Sequence, residues 1–362
     1  MWCRGASNRI LLTGFALAAM AGCENPKPRV VTPAFYHWKT TLQITPAERA
    51  YLDSFSCNRL YIKLLDVGRS PETGDITPYA RLEINDPADL SGLEVTPVVF
   101  ITNEVFQHIL EEKNGWLAGK ITDVFSAFLK THGLHWSGEV QFDCDWTPST
   151  RAAFFQFLKE IRKRLPDDTR LSATIRLHQY KFPDQTGVPP VDRGMLMFYN
   201  TGDIESAAGA NSVFDLKDAE KYIAGAPEHY SLPLDLALPV FSWGLVYRDG
   251  ELWKILPEIP ASVLQDTAKF SRPAGAPNGN FEPYAVKAGT FLSGHYLRPG
   301  DLLRVEVVSP AMLCDAARLA AKADLSDRAS VAFFHLDTLT LRRYPVQLLD
   351  SVCQMICLPE KK

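Results

Sequence analysis

The chain is short of the features that mark several common protein classes. Cysteine is scarce, with 7 in 362 residues. Beyond position 23 only Cys57, Cys144, Cys314, Cys353 and Cys357 remain, an odd number with no dense framework. That excludes a disulfide-stapled scaffold even where oxidation is permitted, and most of these residues read as buried thiols. Cys353 and Cys357 lie one helical turn apart, but no second Cys pair or His pair accompanies them, so zinc is not indicated. Basic charge is not in excess: 38 Lys and Arg stand against 42 Asp and Glu. The electrostatic footprint of a nucleic-acid binder is therefore missing. No glycine-rich phosphate loop follows the first β-rich run, and no Gly-x-Ser-x-Gly nucleophile elbow occurs. There is no low-complexity tract. What the chain does have is apolar content, at 46%, enough to bury a sizeable core.

The N-terminus reads as an address. Arg4 and Arg9 flank the start of an apolar run over 10–21, which is too short to span a bilayer comfortably. Met20-Ala21-Gly22-Cys23 resembles the bacterial lipobox. Residues 1–22 are accordingly expected to be a lipoprotein signal peptide, with Cys23 lipidated and the protein anchored to a membrane of the bacterial cell envelope. Residues 23–33, with Pro26, Pro28 and Pro33, form a short stiff tether.

After the tether, β-rich runs recur at 34–38, 59–67, 96–102, 139–146, 170–178, 194–200, 234–243 and 330–337. Helical stretches separate them at 46–56, 105–132, 148–164, 216–223 and 310–323, and a last helix begins near Pro345. Strands alternating with helices imply parallel pairing. Eight such units in about 300 residues predict a closed (β/α)8 TIM barrel over 34–358; an open doubly wound sheet is the alternative. Residues 244–309 break the rhythm. They contain β-rich runs around the turn Arg298-Pro299-Gly300-Asp301 and predict a small β-rich insertion on the rim, between strands seven and eight.

Strand side chains alternate between two faces, and a barrel strand turns its oily set toward the helices. In strand four the oily set is Val140, Phe142, Cys144 and Trp146. Glu139, Gln141, Asp143 and Asp145 then point inward. Strand five places Ser172, Thr174, Arg176 and His178 inward, opposite Leu171, Ala173, Ile175 and Leu177. Strand eight sets Ala332, Phe334 and Leu336 against Val331, Phe333, His335 and Asp337. Unpaired buried charge is costly. The inward polar groups are therefore expected to meet in a solvated pocket at the C-terminal mouth, with Lys63 and Arg176 balancing Asp143, Asp145 and Asp337. The alternative is an internal ion-pair network that fixes the barrel. Asp143 and Asp145 stand about 6.6 Å apart along the strand, close enough for one to hold a proton more tightly. That suits acid–base work on a glycosidic bond. Trp38, Tyr199, Phe241 and Trp243 at strand ends offer rings for sugar faces or for rim packing.

These residues resemble a known family. Phe142-Asp143-Cys144-Asp145-Trp146 looks like the Asp-x-Asp-x-Glu signature of chitinase-like glycoside hydrolase family 18. Met197-Phe198-Tyr199-Asn200 looks like its Met-x-Tyr-Asp segment. The resemblance implies a barrel that binds N-acetylated or related glycans, with Asp143 and Asp145 as the signature aspartates and Tyr199 against the acetamido group. The signature's final Glu, the general acid, is Thr147 here, and threonine cannot protonate a leaving group at neutral pH.

The expected function is therefore a lipid-anchored, glycoside-hydrolase-like barrel that acts on glycans or, with the acid lost, only binds them. Asp143 and Asp145 are the candidate catalytic residues. His37, Trp38, Lys63, Arg176, His178, Tyr199, Asn200, Trp243, His335 and Asp337 are the candidate substrate-binding residues. Glu104 could supply a further carboxylate, but a charge at a helix N-terminus explains it better. His37, Asp143, Asp145 and His335 lack the spacing of a metal site. No cofactor is implied; the expected partners are a glycan or other small polar ligand and, through Cys23, a membrane.

Overall fold

The structure, a computed structural model, describes residues 28–132, 135–257, 259–273 and 281–358. The signal segment 1–22, Cys23 and the first part of the tether lie outside the described residues.

Eight parallel strands close on themselves: β1 (Val30–His37), β2 (Arg59–Arg69), β3 (Glu94–Ile101), β4 (Glu139–Asp143), β5 (Arg170–Arg176), β6 (Arg193–Met197), β7 (Leu234–Pro239) and β8 (Arg328–Phe334). Each pairs with the next, and β1 pairs with both β2 and β8, so this sheet is a closed cylinder with helices outside. This is the TIM barrel that the strand–helix rhythm predicts. The β2 strand runs on past the cylinder and pairs antiparallel with Ile76–Arg81, a hairpin the rhythm does not reveal.

Local signals set the outer helices. In α1 (Pro46–Ser54) Thr45 and Glu48 form a reciprocal capping box with proline in the first turn. The helix expected over 105–132 is broken: Ile109 is extended, and α2 begins anew at Asn114 and runs to His132. The α3 helix (Arg151–Arg162) buries Phe154, Phe157, Leu158 and Ile161, one face at helical spacing, against the barrel wall. It begins three residues after Pro148, because 148–150 form a turn first. Further round, Asp215 caps α4 (Leu216–Ile223) and Ser309 caps α5 (Pro310–Ala320). Finally, α6 (Val346–Cys357) packs on α5. All five described cysteines are free.

Between β7 and β8 a second sheet stands on the rim. Its antiparallel strands lie in the order Glu251–Leu256, Ser242–Arg248, Leu302–Val307, Phe281–Val286 and Phe270–Ser271. A hairpin of Thr290–Leu292 and His295–Leu297 joins it. This insertion has a separate apolar core that includes Val246, Leu256, Phe270, Leu303 and Val305. The Arg298–Asp301 turn works as its sequence suggests. Gly300 takes φ +93, and Asp301 accepts from the Arg298 backbone at 2.8 Å and from Arg248.

Candidate functional site

The polar residues facing the barrel interior divide by depth. At the closed end Glu139 accepts from Arg59 at 2.9 Å and from Ser172 at 2.6 Å. Asp235 pairs with Arg193 at 2.7 Å and accepts from the Ser330 backbone at 2.6 Å. Burial nevertheless pushes Asp235 up to about 6, outweighing Arg193. In the middle Tyr36 donates to Gln141 at 2.6 Å and stacks on Tyr61. Glu139 and Gln141 thus belong to an internal network below an aromatic layer. They do not reach the mouth, which corrects the expectation for the lower half of strand four.

Above that layer Asp143 is 3% exposed and accepts the Thr174 hydroxyl at 2.6 Å. Burial raises it to about 6; Asp145 and Asp66 push the same way, while Arg176 and the Thr174 bond oppose them. Asp145 lies just past the strand, half exposed, and is ion-paired with Arg176. Burial opposes the charge on Arg176, but Asp145 and Asp143 together raise its hold on its proton.

Around this trio a cleft of about 650 Å³ opens at the C-terminal mouth. Its rings meet at Phe334, whose centroid lies 5.2 Å from Trp38, 5.5 Å from Tyr199 and 5.5 Å from Phe241. Phe241 packs edge-on against Trp243 at 5.5 Å. Burial raises the Tyr199 hydroxyl well above the ordinary value, against the pull of Arg176. Asn200 lines the cleft at φ +55, its backbone N–H held by Val213 at 2.8 Å. Lys39 and Asp337 form a second ion pair at 2.5 Å, with His335 beside them. Burial would raise Asp337, but Lys39 and the Leu339 backbone bond leave it below the usual carboxylate value. Burial lowers His335, with Lys39 adding to it and Asp337 resisting.

Of the residues expected from sequence, the cleft brings together Trp38, Asp143, Asp145, Arg176, Tyr199, Asn200, Trp243, His335 and Asp337. Three stand elsewhere. His37 is buried on the outer side of β1, next to inward-facing Tyr36 and Trp38, and burial lowers it to about 4. His178 lies in the first turn of a short helix, Leu177–Lys181, exposed and off the lining, because β5 ends at Arg176. Lys63 lies behind the lining, bonded to Asp66 at 2.7 Å and 5.3 Å from the Trp38 ring. Glu104 is exposed near Arg69 and also off the lining. Thr147 bonds Ser149 at 2.8 Å within the turn before α3.

The cleft also uses residues that the strand pattern missed. Lys39 directly follows Trp38, and a cation beside strand-end acids was a usable signal. Ile255, Leu256 and Pro257 come from the insertion, and only the assembled fold brings them to the mouth. Among the described residues no group of three or more His, Cys, Asp or Glu could hold a metal ion. Among them also, no helix is long and apolar enough to cross a membrane.

No protein-family model and no curated protein matches this sequence. Solved structures do match in shape. The spore cortex-lytic enzyme SleL of Bacillus megaterium QM B1551 is 15% identical with a TM-score of 0.51, over 93% of this chain and 76% of that one. The chitinase of Chromobacterium violaceum ATCC 12472 is 12% identical with a TM-score of 0.49, over 91% of this chain and 99% of that one. The chain therefore shares the barrel fold of the cortex-lytic enzyme.

Proposed function

We propose that the cleft binds a glycan containing N-acetylated sugars and that the protein does not cleave it by the route of family 18. One observation carries the reading. The rings of Trp38, Tyr199, Phe241, Trp243 and Phe334 share a single cleft with Asp143 and the Arg176–Asp145 and Lys39–Asp337 pairs. A pyranose has apolar faces and a hydroxylated edge, so it asks for carbon surface on one side and charged hydrogen-bonding groups on the other. The barrel fold shared with a spore cortex-lytic enzyme supports a glycan over other small polar ligands. Thr147 and the engagement of Asp145 by Arg176 support binding without turnover.

A second reading rests on Asp143. A carboxyl raised to about 6 holds a proton close to neutral pH and could serve as a general acid. The lipobox-like Met20-Ala21-Gly22-Cys23 supports a lipid anchor on Cys23 in the bacterial cell envelope.

Titration with N-acetylglucosamine oligomers, together with hydrolysis assays on their fluorogenic glycosides, tests both readings. Binding without turnover is the expected result. Turnover abolished by Asp143→Asn would establish the second reading, and failure to bind any such oligomer would refute the glycan proposal. Radiolabelled palmitate incorporation that is lost in Cys23→Ala tests the anchor.

A further inference from the structure

Glu306 has no exposed surface, although it sits on the insertion strand Leu302–Val307 beside the mouth. It stands directly opposite Trp243 in the ladder. Trp243 donates its indole N–H to Glu306 Oε2 at 2.6 Å, and Ser212 donates its hydroxyl to the same oxygen. Arg304, on the same face two residues earlier, pairs with Oε1 at 2.8 Å. Arg304 also donates to the carbonyls of Ser206 and Asp203, and Tyr247 donates to the carbonyl of Ile204 at 2.6 Å. Asn211 donates to the Val307 carbonyl at 3.1 Å. One carboxylate therefore gathers a ring of the cleft, the insertion sheet and the segment after β6.

Burying an ionisable carboxyl is costly unless its lone pairs are used. Here two hydrogen-bond donors, Trp243 and Ser212, and the charge of Arg304 converge on it. An ionised carboxylate is acceptor-only, with two oxygens to share among them. An amide would turn one of its ends into a donor facing a donor. The consequence for the cleft lies in Trp243. With its only polar atom tied inward, the indole offers the cleft carbon surface alone, set nearly perpendicular to Phe241 at 76°.

We infer that Glu306 is a positioning residue for glycan binding, acting through Trp243, whose ring it fixes as a stacking wall of the mouth. This rests on the glycan reading of the cleft, but part of its test does not need a glycan.

The first arm is ¹⁵N NMR of the Trp243 indole in the full chain. The wild-type N–H should exchange slowly and resonate downfield. Glu306→Gln keeps an acceptor oxygen and should largely preserve this signature. Removing Arg304 and Glu306 together, as Arg304→Met with Glu306→Leu, avoids stranding one buried charge and should abolish it. A protected indole in the double variant would overturn the inference whatever the glycan result. The second arm measures the affinity of N-acetylglucosamine tetramer. The double variant should bind about tenfold more weakly, the scale of one lost charge-assisted hydrogen bond. Trp243→Phe should weaken binding similarly. Adding it to the double variant should weaken binding little further, because both changes act through the same ring. Additive losses would show that Glu306 does not act through Trp243. A wild-type chain that binds no tetramer refutes the glycan reading, and the indole arm still decides whether Glu306 holds the ring.

Discussion

Thr174 donates its hydroxyl to Asp143 at 2.6 Å across the β4–β5 pair, and this is the hydrogen bond to Asp143 that opposes its raised proton affinity. Thr174 is fully buried, so no water reaches the bond from its side. Thr174→Val keeps the shape and deletes the donor. A hydrogen bond to a charged group is worth about 1.5 kcal/mol, so the carboxyl should rise by about one further pH unit. Carboxyl ¹³C titration would show it; an unmoved titration would mean that the Thr174 bond does not hold the carboxyl down.

Asp143 and Asp235 couple stability to pH in the same direction. Both stand at about 6 in the folded chain against an ordinary 3.8, chiefly through burial. For a raised folded pKa, the favourable contribution is complete below about pH 4 and is lost as pH rises through about 6. The wild-type chain should therefore lose stability between those values, by up to about 3 kcal/mol per group. Asp143→Asn should remove its share of that slope in urea unfolding followed at successive pH values. A wild-type profile flat over this window would contradict the burial argument.

Arg176 should matter to the cleft more than to the fold. Its partner Asp145 is half exposed, and a pair of that kind contributes at most about 1 kcal/mol. Arg176→Met should accordingly shift stability little. It should raise the proton affinity of Asp143, because Arg176 is the strongest of the influences holding it down. Glycan affinity should fall about tenfold if the guanidinium contacts ligand hydroxyls. Calorimetric titration checks the affinity, and an unchanged value would remove Arg176 from the binding surface.

The barrel was legible because alternation along strands four and five continues for a full strand length. Val140 and Phe142 pack outward while Gln141 and Asp143 point in, as the period of two demands. The strand ends were not legible. The loops after the strands also bury apolar residues, so Trp146 and Leu177 prolong the pattern after the ladder has stopped at Asp143 and Arg176. That overrun is why His178 was expected to point inward and is instead found in a helical turn. His37 stands off the lining for another reason: on β1 the inward positions belong to Ala34 and Tyr36, with Trp38 just past the strand, and histidine tolerates burial when neutral. The wall of Ile255 to Pro257 comes from the insertion, and the support of Trp243 at Glu306 depends on bonds 63 and 94 residues apart in sequence, which no local pattern carries.

The last prediction concerns Thr147. Its hydroxyl bonds Ser149 at 2.8 Å, and its backbone N–H donates to Thr150 at 2.9 Å. Thr150 in turn donates to Asn103 at 2.6 Å. These bonds tie the segment after β4 to the loop after β3. Thr147→Glu retains the backbone bond and places a carboxyl two residues beyond Asp145. An unpaired Asp145 would raise the proton affinity of a glutamate there, but Arg176 already pairs with that carboxylate. Thr147→Glu alone should therefore leave fluorogenic N-acetylglucosaminides uncleaved. Thr147→Glu combined with Arg176→Ala should give slow turnover with an acid limb in its pH profile. Cleavage by the single variant would show that the Arg176–Asp145 pair is no obstacle. Silence from the double variant, with glycan binding intact, would show that the cleft lacks more than its acid.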